Sequence, residues 1–126
     1  MQSTASSVAG LRLLLVEDEY LLAMYLSQAL EDLGAEVIGP AASVDDALDL
    51  IEHAPAIDAA ILDVNLGGQT SYPVADALAS RDVPFVFASG YERRSLPERY
   101  QNVGVCPKPF DPPSVMTAIA RLRHRH

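Results

Sequence analysis

The sequence predicts an α/β fold, a five-stranded parallel sheet with helices on both faces, and three observations carry that expectation. Short apolar runs alternate five times with stretches whose apolar residues recur at helical spacing, and right-handed crossovers return such a chain over its sheet after every strand. The runs are continuously apolar rather than alternating, which is the pattern of strands buried on both faces. Two of them also stop abruptly at acids: Leu13-Leu14-Leu15-Val16 runs into Glu17-Asp18, and Ala59-Ala60-Ile61-Leu62 into Asp63 and a Gly67-Gly68 loop. In open α/β sheets the carboxyl ends of the strands are where ligands bind.

In chain order, the first strand is Arg12 to Val16, followed by the acidic turn Glu17-Asp18-Glu19. Leu22, Leu26, Ala29 or Leu30, and Leu33 then predict a helix from about Glu19 to Leu33, which Gly34 can cap. Ala35 to Gly39 is a second strand, stopped by Pro40. Ser43 with Asp46 three residues on resembles a capping box with Asp in place of Glu, opening a helix to about His53, whose ring is expected to serve the helix C-terminus rather than a ligand. The third strand is about Asp58 to Leu62. After the glycine loop Ser71 can N-cap a helix with Pro73 in its first turn and Val74, Ala75, Ala77 and Leu78 on its packing face.

The fourth strand is Val83 to Ala88, with Pro84 at its entrance because proline cannot donate to a ladder, and it ends in Ser89-Gly90-Tyr91. From Glu92 to Asn102 the signals weaken around Pro97, predicting one or two irregular helical turns. Val103 to Cys106 is a short fifth strand, followed by Lys108 between two prolines. Asp111 and Pro112 can open a last helix with Val115, Ala118 or Ile119, and Leu122 as its buried stripe.

A length of 126 residues with 49% apolar content suits one domain, expected over residues 11–126 behind a loose Ser/Ala-rich tail of residues 1–10. The formal charge of −8 argues against nucleic acid as a partner, since phosphate binding needs a basic surface. The basic residues are uneven, with Arg93, Arg94, Arg99, Lys108, Arg121, Arg123 and Arg125 all late in the chain, where they read as a solvated edge. A single cysteine, Cys106, excludes an internal disulfide, fits a reducing compartment and reads as a small buried hydrophobe. No stretch approaches the roughly 20 apolar residues of a membrane span, so a cytoplasmic protein is expected.

The strand ends together assemble an inventory: Glu17 and Asp18, Asp63, Ser89 with Gly90, and Lys108. Three carboxylates around one point would repel one another and make sense mainly as a divalent cation site. Mg²⁺, with Mn²⁺ as an alternative, prefers oxygen ligands and keeps several waters, so Asp18, Asp63 and the carbonyl of Asn65 are the direct candidates and Glu17 acts through water. A carboxylate can attack phosphorus and carry it as an acyl phosphate, which is the role of Asp63 in this reading. Lys108 and the cation offset charge on the transferred group, while the Ser89 hydroxyl and nearby amides, with Gly90 permitting close approach, donate to its oxygens.

Leu15-Val16-Glu17-Asp18, Ile61-Leu62-Asp63-Val64-Asn65-Leu66, Phe87-Ala88-Ser89-Gly90-Tyr91 and Lys108-Pro109-Phe110 resemble the signature of receiver domains of two-component response regulators. The ordered set spans about residues 11 to 123 and is far more specific than any one motif. The resemblance implies a flavodoxin-like (βα)5 three-layer sandwich with strand order 2-1-3-4-5. It implies Asp63 as phosphoacceptor, charged by a sensor histidine kinase or a histidine phosphotransfer protein, with Ser89 in the place of the switch Thr/Ser and Lys108 in that of the invariant lysine, usually followed by a cis proline as at Pro109. Phe87-Ala88-Ser89-Gly90-Tyr91 is also similar to the FAT GUY receivers, often single-domain bacterial regulators linked to kinases of the HWE or a related class. One position departs from many receivers: Val105 stands where an aromatic usually precedes the lysine by three residues, which puts the usual aromatic-hydroxyl coupling in doubt. Tyr91 is either a partial replacement, a shield for the phosphoryl group, or an ordinary loop aromatic.

Other readings are a phosphate sink or relay intermediate, a receiver-like binding module that is never phosphorylated, and a flavin-binding protein. Intact Asp63, Asp18 and Lys108 argue against the module, and the lack of a Ser/Thr/Gly phosphate loop after the first strand argues against flavin. With the last predicted helix running nearly to residue 126, no output domain is expected, and the signal is expected to leave by contact with a downstream protein target through the fourth helix, fifth strand and fifth helix.

Overall fold

The computed structural model describes residues 9–89, 96–100, 103–107 and 117–118, with Ser89, Cys106 and Pro107 described by their backbone alone. Chain order gives β1 (Arg12–Val16), α1 (Tyr20–Asp32), β2 (Glu36–Ala41), α2 (Val44–His53), β3 (Ala59–Asp63), a small pair β4 (Asn65–Leu66) and β5 (Gln69–Thr70), α3 (Tyr72–Ser80), β6 (Phe85–Ser89), a 3₁₀ turn (Glu98–Tyr100) and β7 (Val105–Pro107). The main sheet is five-stranded in the order β2-β1-β3-β6-β7 and every pairing in it is parallel. Counted as five sheet strands this is 2-1-3-4-5. The predicted last helix and its Asp111 cap lie outside the described residues, apart from two helical residues at 117–118.

Strand alternation divides the core in two. Leu13, Leu15, Ala59, Ile61, Val86 and Ala88 point to one face, where Leu26 and Leu30 of α1 and Ala118 cover them. Leu14, Val16, Ala60, Leu62, Phe85 and Phe87 point to the other, beneath Ala47 and Ile51 of α2 and Val74, Ala75 and Leu78 of α3. Both faces are therefore buried, which is why the strands read as unbroken apolar runs. Ala77 is only partly buried on the packing face of α3.

The helix ends show which local signals were sufficient. Helix α1 closes as a Schellman turn: the Gly34 amide donates to Glu31 O at 2.9 Å and the Ala35 amide to Leu30 O at 3.1 Å, with Gly34 at φ +96°. Ser43 caps α2 by accepting from the Asp46 amide at 3.1 Å. His53 ends that helix with Nδ1 2.9 Å from Asp49 O, and this contact, with the nearby Asp49 carboxylate, raises the imidazole above its ordinary 6.5. Ser71 does precede α3, but its hydroxyl makes no capping bond. The reason is backbone geometry: Ser43 is extended at ψ 163°, whereas Ser71 has ψ 10° and leaves its fully buried Oγ without a partner.

One strand boundary needs correction, and one loop proves to be a hairpin turn. Pro40 does not stop the second strand, since β2 continues through it to Ala41. This is an edge strand, where a missing N–H is tolerated, and Gly39 at φ +98° accompanies a register shift between Leu14 and Val16. A Cβ on Gly39 would meet Ala41 N at 2.8 Å and Leu15 O at 3.1 Å, so only glycine fits there. The Gly67-Gly68 loop is the turn of a hairpin, with Asn65 paired to Thr70 and Leu66 to Gln69. Both glycines have positive φ, +58° and +92°, as two-residue hairpin turns of the primed type require.

The 3₁₀ turn at Glu98–Tyr100 is pinned to α3. Tyr100 is buried, its ring centroid 5.6 Å from Phe87, 5.9 Å from Phe85 and 6.0 Å from Tyr72. Its hydroxyl donates to Asp76 Oδ1, while Arg99 Nε and Nη2 reach the same carboxylate at 3.1 and 3.2 Å and its guanidinium lies 4.7 Å over the Tyr100 ring. The Tyr100 hydroxyl, and after it Arg99, holds the Asp76 carboxyl below its ordinary 3.8. Burial, reinforced by the Asp76 carboxylate, pushes the Tyr100 phenol above its ordinary 10.0. Because the Asp76 value is depressed on folding, its contribution is present above pH 3.8 and is lost as pH falls through the depressed value; that of Tyr100 is present below pH 10.0 and is lost as pH rises through the elevated one.

Two outcomes follow from these contacts. Ser43→Ala should lower stability to urea by about 1 kcal/mol, whereas Ser71→Ala, which removes a buried hydroxyl without a partner, should leave it unchanged or raise it. Tyr100→Phe should lower the melting temperature and move the Asp76 carboxyl titration, followed by NMR, upward toward 3.8.

Candidate functional site

Parallel register decides which strand ends meet. Val16 pairs with Leu62 and Asp63 with Ala88, so Glu17 and Asp18 leave β1 beside the end of β3, and Ser89 stands one residue beyond Asp63 on the next strand. Main-chain bonds continue the alignment past the strands: the Glu17 amide donates to Ala41 O at 2.9 Å and the Val64 amide to Ala88 O at 3.2 Å.

Glu17, Asp18 and Asp63 each present a carboxylate oxygen, and these atoms lie within 4.8 Å of one another. Glu17 is 2% and Asp63 7% exposed, while Asp18 faces solvent. Backbone amides orient all three. Glu17 Oε2 accepts from the Glu19 amide at 3.1 Å, Asp63 Oδ1 from the Asn65 amide at 3.2 Å, and Asp18 Oδ2 from the Gly67 amide at 2.9 Å. Asn65 Oδ1 in turn accepts from the Gly68 amide at 3.1 Å.

These residues fit a small hard cation. Negative charge buried to this degree demands a compensating positive charge nearby. In an octahedral shell with Mg–O near 2.1 Å, ligand oxygens sit roughly 3 to 4 Å apart, so the observed spread needs to contract by less than about 2 Å. An all-oxygen donor set excludes soft-metal chemistry. The arrangement can also place a nucleophilic carboxylate, Asp63, beside that cation, at the end of the strand next to the one that ends at Ser89.

The structure thus brings Glu17, Asp18, Asp63 and Asn65 together and sets the Ser89 backbone beside them. The Ser89 hydroxyl, Gly90, Tyr91, Lys108 and Pro109 lie outside what it describes, as do the late arginines other than Arg99. Val105 is partly buried, with its backbone paired to Phe87. The Tyr100 ring packs on Phe85 and Phe87 of β6, a contact that sequence reading missed together with Asp76, because no local pattern links two residues 24 positions apart. The hairpin that carries Gly67 was missed as well, although a Gly-Gly pair is a recognised hairpin signal. Among the described residues no helix is long and apolar enough to cross a membrane.

Comparison with known proteins gives the same outline. Residues 13–120 match the family model described as response regulator receiver domain. The chain is 31% identical over 128 residues to the transcriptional regulatory protein PdtaR of Mycobacterium tuberculosis, covering 94% of this chain and 62% of that protein. It is 32% identical over 112 residues to the phyllosphere-induced regulator PhyR of Methylorubrum extorquens, covering 86% of this chain and 42% of PhyR, so it spans less than two thirds of either protein. Among solved structures, SdrG from Sphingomonas melonis Fr1 is 44% identical with a TM-score of 0.72, covering 94% of this chain and 95% of SdrG. A BeF₃-activated conformation of SdrG matches with a TM-score of 0.73, at 97% and 99% coverage.

Proposed function

The chain belongs to the response regulator receiver domains, and from that premise we propose that it is a phosphorylation switch in which Asp63 accepts a phosphoryl group from a histidine of a sensor kinase or a histidine phosphotransfer protein. The observation that carries this reading is the convergence of Glu17, Asp18 and Asp63, two of them buried, at the carboxyl end of the sheet. Asp18, Asp63 and the main-chain carbonyl of Asn65 would hold Mg²⁺ or Mn²⁺, with Glu17 acting through water. A cation bound there would neutralise charge on the donor phosphoryl group and so permit its approach to a carboxylate.

Attack by an Asp63 oxygen forms the new P–O bond as the P–N bond to the donor imidazole breaks, and the proton needed by the departing ring comes from the donor side. The amide of Asn65, which donates to Asp63 Oδ1, keeps that carboxylate oriented. Ser89 and Lys108 serve as hydroxyl donor and fixed cation for the transferred group. A kinase of the HWE or a related class, or a histidine phosphotransfer protein, is the proposed donor, and the product acts by contact with a downstream protein.

The acyl phosphate at Asp63 carries about −2 of charge in place of the carboxylate's single negative charge, which draws the Ser89 hydroxyl and Lys108 toward it. Phe87, two residues before Ser89, touches Tyr100, so movement of β6 is transmitted to the 3₁₀ turn held on α3 by Asp76 and Arg99. The BeF₃-activated form of the similar SdrG makes that reagent the natural probe.

Asp63→Asn should fold like the parent yet show no phosphoryl adduct by mass spectrometry after incubation with phosphoramidate and Mg²⁺, and EDTA should abolish the adduct of the parent; an adduct retained by the variant would remove Asp63 from its role. Hydrogen exchange with and without beryllofluoride should change over residues 89–110. Unchanged protection there, with changes confined elsewhere, would refute the transmission route.

A further inference from the structure

Asn65 stands between the two halves of the site. Its main-chain amide donates to Asp63 Oδ1 at 3.2 Å, and its side-chain Oδ1 accepts from the Gly68 amide at 3.1 Å. One residue earlier in the same turn, the Gly67 amide donates to Asp18 Oδ2 at 2.9 Å. A continuous set of links therefore runs from the carboxylate of β3, through one hairpin turn, to the carboxylate that follows β1.

We propose that the Asn65 side chain is a positioning residue: by fixing the Gly67-Gly68 turn it aims the Gly67 amide at Asp18 and so sets Asp18 and Asp63 for a divalent cation. This deepens the phosphoacceptor reading and rests on it, but it assigns the side chain a task separate from that of the main-chain carbonyl. Two consecutive glycines have more accessible backbone conformations than any other pair, so their turn is costly to hold in one of them. A short amide side chain that bonds the backbone a few residues on selects one conformation at little entropic cost. An ionised carboxylate offers about four acceptor sites, so one amide bond to each of Asp18 and Asp63 restrains its rotation while occupying only one of them.

The rest of the hairpin does not depend on this bond. Leu66 is buried at 3% exposure, the strand pairs Asn65–Thr70 and Leu66–Gln69 remain, and the Ser71 amide closes the loop on Val64 O at 2.8 Å. Removing the Asn65 side chain should therefore loosen the turn without unfolding the domain.

The test is a Mg²⁺ titration of the full chain, followed through NMR amide shifts, paired with thermal melts in EDTA. Asn65→Ala, which keeps the main-chain carbonyl, should bind Mg²⁺ on the order of ten-fold more weakly, the effect expected for losing a group that orients a ligand, while its melting temperature in EDTA stays at the parent value. Asn65→Ser should recover part of the affinity, because a hydroxyl closes such turns more weakly. Parental affinity in Asn65→Ala, or a melting temperature in EDTA that falls together with the affinity, would overturn the positioning role and leave the phosphoacceptor reading standing. Parental affinity in Asp18→Ala would instead overturn the cation site itself, and both proposals with it.

Discussion

Three carboxylates must be brought to one end of a sheet, and the rest of the domain is arranged around that constraint. Glu17 and Asp63 are almost wholly buried and sit beside Asp18 at the end of the β1–β3 pair. Charges so placed are tolerated only where donors and a cation answer them. The parallel register supplies the approach, since Val16 opposite Leu62 and Asp63 opposite Ala88 leave β1, β3 and β6 ending within about two residues of one level. Apolar packing on both faces supplies the rigidity: Leu13 and Leu15 on one side and Leu14 and Leu62 on the other are essentially inaccessible, so the strand ends cannot spread to relieve the repulsion.

Backbone amides carry the first part of the compensation. Those of Glu19, Asn65 and Gly67 each donate to one carboxylate. They orient the acids without neutralising them, which preserves a negative potential at that end of the sheet. All three acids lie within residues 13–120, the span that matches the receiver-domain family model.

A second centre of organisation lies on the α3 side of the sheet. Phe85, Phe87, Tyr72 and Tyr100 form edge-on and tilted contacts around the strand that ends at Ser89. Asp76 and Arg99 tie the polar rim of that cluster, at an exposed position where the ion pair alone is worth little and the buried aromatic ring supplies most of the hold. Val105 pairs with Phe87, and the large ring against β6 arrives from Tyr100 in the segment before β7.

The sequence by itself determined the fold class, the five sheet strands, the helices α1 and α2 nearly to the residue, the start of α3 and the identity of the clustered acids. Those features depend on periodicities and punctuation that a local window contains: continuous apolar runs, the Ser43 cap, Gly34 after α1, carboxylates where apolar runs stop. Only the tertiary structure decided that Pro40 stays within an edge strand, that Ser71 precedes a helix without capping it, and that the Gly67 amide holds Asp18. It alone joined Asp76 to Arg99 and Tyr100. Each of these turns on what lies across space: whether a strand has a neighbour on its second side, which ψ the packed chain imposes on a serine, which carboxylate meets an amide 49 residues away. Local sequence sets the menu of backbone states, but the choice among near-equal states is made by contacts between segments that no local pattern connects.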